Sequence, residues 1–139
     1  MLKRRSIACI AYEDGLILIA HRNSPGDMGN RWEFPGGKVE NGETDEQAII
    51  REFNEEFGVI VRVGQFLTEG NFVHSGNEMS LRAYRIFVPH KGDHIPYTLS
   101  EHYEYQWIDP SKIPSLNFVD SDLSIYVELM KCLADTEQK

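Results

Sequence analysis

Apolar residues crowd positions 5–12 and 16–20, two runs of strand length joined through Glu13-Asp14-Gly15, a tight-turn signal. Pro25, Gly26 and Gly29 then mark residues 24–31 as a loop. From Thr44 the period changes. Ala48, Ile49, Phe53 and Phe57 fall at spacings of one and four, which predicts a helix with one apolar stripe facing a core. Thr44-Asp45-Glu46-Gln47 has the T-x-x-Q form of a capping box, and Asp45 and Glu46 sit where the helix dipole favours negative charge. Gly58 suits the left-handed residue that ends a helix. Residues 59–63, 65–73 and 80–88 read as strands, 89–100 as a loop, 105–108 as a short strand and 120–133 as a terminal helix. This pattern predicts a mixed α and β domain. A length of 139 residues, without repeat or linker, predicts a single domain over 1–139.

A net charge of −8 works against nonspecific nucleic-acid or membrane binding, since both reward basic surfaces. No apolar run approaches the length of a membrane span. The basic start, Met1 to Arg5, leads into an apolar run too short for a signal peptide. Cys9 and Cys132 lack paired spacing, which fits buried packing in a reducing compartment and predicts a cytoplasmic protein.

The charges on the predicted helix change the picture further. Glu52, Glu55 and Glu56 stand at i, i+3 and i+4, so their side chains share one face and repel each other unless a cation sits among them. Arg51 lies beside them and could orient or neutralise one. Alone, such a face reads more readily as solvated surface, since such pairs are common on exposed helices. The preceding loop argues otherwise: Phe34-Pro35-Gly36-Gly37 is rigid and then permissive, allowing close backbone approach to a ligand. Gly42-Glu43 adds a turn and another carboxylate before the cap. Hard divalent cations take oxygen ligands, and phosphate-anhydride chemistry uses such cations. A polyphosphate would be repelled by bare carboxylates; metal ions cancel that charge and bridge to phosphate oxygens.

Gly37, Glu43, Arg51, Glu52, Glu55, Glu56 and Gly58, with Phe53 and Val59 in the bulky apolar places, resemble the Nudix box, G-x5-E-x7-R-E-U-x-E-E-x-G-U, at every specified position. Seven such identities arise by chance about once in 10^8 starting points at average residue usage. Trp32-Glu33-Phe34-Pro35-Gly36-Gly37-Lys38 is further similar to the MutT-like branch. The resemblance implies an α+β Nudix fold, a mixed β-sheet sandwiched between α-helices (an α/β/α sandwich). It implies an Mg2+-dependent pyrophosphohydrolase, with Mn2+ able to substitute, that cleaves a small-molecule nucleotide by attack of water on phosphorus and serves nucleotide-pool sanitation.

Residue by residue, the resemblance implies Glu52, Glu55 and Glu56 as metal ligands, with the Gly37 carbonyl as a backbone ligand. Arg51 would orient a glutamate through a bidentate pair; Glu43 would support the loop or ligate through water. Glu52 and Glu101 compete as general base, the latter because it lies six residues before Trp107. Arg22, ending the second strand, resembles a branch arginine that contacts the substrate phosphate, and otherwise reads as a strand-end surface charge. Phe34 joins the substrate-binding set, and Trp32, Phe72 and Phe118 are aromatic residues that could stack on a base or fill a core. Asp122 falls where the branch reads the base. Ionised, it only accepts, and so suits the exocyclic amino group of cytosine or adenine better than the lactam edge of 8-oxoguanine. Asn117 could supply an amide instead, and Asp120 and Asp122 read equally as helix caps. Alternatives are a diphosphatase for another conjugate, such as a nucleotide sugar or ADP-ribose, and a noncatalytic nucleotide-binding Nudix module.

Overall fold

The first apolar run becomes the central strand, because its side chains find a hydrophobic layer on each face. The computed structural model describes residues 4–22, 31–89 and 102–137. Strand β1 (Arg4–Glu13) turns at Asp14-Gly15 into β2 (Leu16–Arg22). There follow β3 (Trp32–Glu33), β4 (Gly36–Lys38), α1 (Asp45–Phe57), β5 (Arg62–His74), β6 (Asn77–Phe87) and β7 (His102–Ile108). A 3-10 turn at Pro110–Ser115 leads to α2 (Asp120–Leu123) and α3 (Tyr126–Glu137). The sheet is mixed, in the order β3-β2-β1-β6-β5, with β4 beside β1 and β7 beside β2.

Ile7, Cys9 and Ala11 of β1 pack with Ala48, Ile49, Phe53 and Phe57 of α1, all buried. Ala8, Ile10 and Tyr12 face the other way and join Leu129 and Leu133 of α3. That two-faced burial is the sandwich the resemblance implied, and each fully buried large side chain in it contributes about 1.5–3 kcal/mol. β1 runs parallel to β6 from Arg4↔Met79 to Ala11↔Ile86. On its other edge it pairs with β4 at Ser6–Ala8 and with β2 at Tyr12–Glu13. The change of partner on this edge falls between Ala8 and Tyr12.

Three expected elements differ. The runs 59–63 and 65–73 form one strand, β5, beginning at Arg62, with irregular register between Val63 and Phe66 and between Phe66 and Thr68. The expected helix 120–133 is broken into α2 and α3. Ile125 at the break reaches β5, where a Cβ on Gly70 would stand 2.6 Å from its Cγ2. This tertiary contact has no local signature. Strands β3 and β4, two and three residues long, fall within a segment of glycine and proline that reads as loop. The expected loops over 24–31 and 89–100 lie almost wholly outside the described residues.

Candidate active site

Helix α1 is fixed at both ends by the signals in its sequence. The Thr44 hydroxyl accepts from the Gln47 N–H at 3.1 Å, and the Gln47 side chain accepts from the Thr44 N–H at 2.9 Å, a complete capping box. Gly58 closes the helix in the left-handed conformation, donating its N–H to the Asn54 carbonyl. With its apolar stripe buried, the helix presents its acidic residues at graded depth. Glu56 is 3% exposed, the Glu52 side chain 17% and the Glu55 side chain 58%. The three share a face only in part: Glu56 turns inward and Glu55 outward.

Arg51 organises these charges. Its five N–H donors make five hydrogen bonds. Nε and Nη2 grip the two carboxylate oxygens of Glu43 at 2.7 and 2.9 Å, and Nη2 also reaches the Lys38 carbonyl at 3.1 Å. Nη1 donates to Glu52 at 2.8 Å and to Glu55 at 3.4 Å. The cation that relieves carboxylate repulsion here is thus Arg51 itself. Its hydrogen bonds, with that of the Glu40 N–H next, hold the Glu43 carboxyl down at about 2, and Glu43 in turn raises the Arg51 pKa.

The Glu52 carboxylate rests against Gly37. A Cβ there would lie 2.4–2.7 Å from the three carboxyl atoms of Glu52, so only glycine admits this approach without displacing the glutamate. Beside this contact opens a cleft of about 430 Å³. Its lining combines Glu52, Glu56, Gly36, Gly37 and Lys38 with apolar Ile7, Phe34, Phe72, Met79 and Leu81, and Ser6, Glu33, Ser121 and Asp122 complete it. Asp122 is 6% exposed and accepts the Phe34 N–H at 2.8 Å, tying α2 to the segment that carries the glycine pair. The neighbouring main chains zip together, with Trp32 N–H bonded to Asn117 O and Val119 N–H to Trp32 O. Cys9 lies beneath α1, where burial and then Glu56 and Glu52 push its thiol pKa up.

The cleft therefore brings together Gly37, Glu52, Glu56, Phe34 and Asp122. Glu55 stands outside the lining on the Arg51 cluster, and Arg51 and Glu43 stand behind Glu52. Gly58 serves the helix end. Asn117 is exposed and does not line the cleft. Of Trp32, Phe72 and Phe118, only Phe72 joins Phe34 in the lining; Trp32 stacks on His21 and Phe118 packs edge-on against Phe34. Val119 occupies the cap position before α2, so Asp120 and Asp122 belong to its first turn. The Arg22 side chain and Glu101 lie outside the described residues. Ser6, Met79 and Leu81 were missed, since only the β1–β6 register, with Ser6 opposite Leu81, carries them to the site. Glu33 and Lys38 were missed as lining although they flank Phe34-Pro35-Gly36-Gly37, a proximity that could have found them.

The donor set fits a hard divalent cation: carboxylates of Glu52 and Glu56 beside the main chain of Gly37, with Glu55 one helical turn from Glu52. Among the described residues, no three acidic, histidine or cysteine side chains already converge as a complete ion cage. Mg2+ commonly keeps several waters and borrows phosphate oxygens, so its seat does not require one.

The profile of the NUDIX domain family matches residues 2–129. The chain belongs to this family and is a hydrolase of phosphoric anhydride bonds, similar to its MutT-like members. It is 31% identical over 124 residues to the CTP pyrophosphohydrolase of Escherichia coli K12, covering 89% of each chain. It is 46% identical over 54 residues to the 8-oxo-dGTP diphosphatase of the same bacterium, 39% of this chain and 42% of that one. The solution structure of the E. coli ORF135 protein superposes with a TM-score of 0.82 at 30% identity, covering 100% of this chain and 96% of that one. No described helix is long and apolar enough to cross a membrane.

Proposed function

We propose that the chain hydrolyses a nucleoside triphosphate to a nucleoside monophosphate and pyrophosphate, with Mg2+ as cofactor and an amino-bearing base, cytosine above all, as the preferred head group. The observation that carries this reading is the joining, in the lining of one cleft, of two carboxylates of α1, several apolar side chains and the buried carboxylate of Asp122. Water adds to phosphorus in the α–β anhydride, the P–O–P bond breaks, and the two phosphate-bearing products separate. When bound at Glu52, Glu55, Glu56 and the Gly37 carbonyl, Mg2+ supplies charge neutralisation for the phosphates and a lowered pKa for the attacking water.

The chain's own residues do the rest. Arg51 holds Glu52 in a fixed rotamer, so the carboxylate meets the reacting groups without reorganising. Glu52 is the described carboxylate suited to take the water proton; Glu101 is the competing base, and Glu101→Gln lowers kcat by about 10²-fold or more if it fills that role. Phe34 and Phe72 offer apolar surface to a base, and Asp122 accepts from an exocyclic amino group. Arg22 supplies charge for phosphate, and Cys9 and Cys132, neither in a disulfide, suit a reducing cytoplasm.

The similarity to the CTP pyrophosphohydrolase supports the amino-bearing reading; that to the 8-oxo-dGTP diphosphatase keeps an oxidised purine as the second. A panel of CTP, dCTP, ATP, 8-oxo-dGTP, a nucleotide sugar and ADP-ribose, scored by pyrophosphate release and kcat/KM, tests it. The highest kcat/KM on CTP or dCTP supports the proposal; a conjugate cleaved fastest, without pyrophosphate, overturns it. Tight nucleotide binding with no hydrolysis identifies a noncatalytic module.

A further inference from the structure

The acidic cluster of α1 does not hold its place through α1 alone. Asp45, in the first turn, has a side chain only 11% exposed and meets two arginines and a tyrosine hydroxyl from two strands. Oδ1 meets Arg5 Nε of β1 at 3.1 Å. Oδ2 accepts the Tyr84 hydroxyl of β6 at 2.7 Å and meets Arg82 Nε of the same strand at 2.9 Å. Arg5 also donates to the Glu43 carbonyl at 3.4 Å. The parallel register sets Arg5 opposite Ser80 and Ile7 opposite Arg82, so the two arginines stand on neighbouring strands and face the same helix end. Without Asp45 they would repel each other. Glu43, two residues before Asp45, holds the Arg51 fork, and Arg51 holds Glu52.

We propose that Asp45 is a positioning residue: clasped by Arg5, Arg82 and Tyr84, it locks the first turn of α1 to β1 and β6 and thereby sets where Glu52 stands in the cleft. The catalytic half of this inference rests on the function proposed above. Burial of Tyr84 and its bond to Asp45 both raise the Tyr84 pKa, so the phenol stays a donor over the working range.

The test uses Asp45→Asn, Tyr84→Phe and Asp45→Glu, with Leu133→Ala as a comparison that destabilises the opposite, α3 face. Four quantities are read: kcat, KM, Mn2+ affinity by electron paramagnetic resonance with and without nucleotide, and amide exchange at 49–53. Asp45→Asn should lower kcat and Mn2+ affinity about tenfold each while KM stays within about twofold, and should speed exchange in α1. Tyr84→Phe should move all of these in the same direction but less, and Asp45→Glu should recover part of the loss. Leu133→Ala should lower Tm and leave kcat and Mn2+ affinity near wild type. Variants that lose only Tm, with kcat, Mn2+ affinity and α1 exchange unchanged, overturn the proposal. If the wild type takes up no Mn2+ even with a nucleotide present, the catalytic reading of the site fails; α1 exchange then decides the anchor, faster exchange upholding it and unchanged exchange overturning it.

Discussion

Arg51 and Glu43 meet fork to fork, two parallel hydrogen bonds of 2.7 and 2.9 Å between one guanidinium and one carboxylate. The pair spans the loop and the middle of α1, and the third guanidinium nitrogen is left to aim at Glu52. Lysine cannot reproduce this planar fork, since its ammonium is a single point of charge. Arg51→Lys should therefore lower kcat by about 10–100-fold with KM changed little, as a support that acts through another residue does. Steady-state kinetics at saturating metal checks it; an equal rise in KM with kcat intact would show that Arg51 serves substrate binding instead.

The same pair gives a pH dependence of stability. Glu43 titrates at about 2 in the folded protein against 4.5 for an ordinary glutamate. A carboxyl depressed on folding stabilises the native state above its unfolded value and loses that contribution as pH falls through the folded one. Urea midpoints of wild type and Glu43→Gln should differ most near pH 6–7 and converge between pH 4.5 and 2. A difference that does not narrow over that window would mean that the pair does not stabilise the fold through its charge.

Asp122 carries the specificity prediction. Asparagine at this site can still accept the Phe34 N–H through its carbonyl, but its amide nitrogen would donate where the carboxylate accepted. Asp122→Asn should move the kcat/KM ratio of 8-oxo-dGTP to dCTP upward by about tenfold, the worth of one hydrogen bond to a charged group. If the ratio stays fixed while stability falls, Asp122 acts as the clasp between α2 and Phe34 and does not touch the base.

Much of this site was legible in the chain because its chemistry is written in consecutive residues of one helix. Thr44, Gln47, Gly58, the apolar stripe and the acidic spacing all act within a few turns, and the structure keeps each in its local role. The two-faced burial of β1 was readable as an uninterrupted apolar run. What failed to show depends on long-range register. Ser6, Met79 and Leu81 meet because β1 and β6 pair in parallel across more than seventy residues of chain. Ile125, at the break between α2 and α3, meets Gly70 of β5, a contact set by the fold and not by its neighbours in sequence. Arg51 as the cation within its own acidic cluster was half visible: its neighbours were known, but not that Glu43 takes two of its donors.

The glycines before α1 allow stability and catalysis to be separated in one experiment. At Gly37 an added methyl carbon would fall 2.4 Å from the Glu52 carboxyl carbon, while the backbone itself is not in the left-handed region. Gly42 is the reverse case, with φ of +86° and no atom within 4 Å of the added carbon. Gly42→Ala should cost about 1–2 kcal/mol of stability from left-handed strain and leave kcat of the folded protein nearly unchanged. Gly37→Ala should act mainly on the reaction: pushing Glu52 aside by about 1 Å can cost about 10²-fold in rate. Thermal melts and kcat measured on both variants decide the matter. Should Gly37→Ala keep full turnover, Glu52 can react from a shifted position, and the close approach to Gly37 belongs to packing, not catalysis.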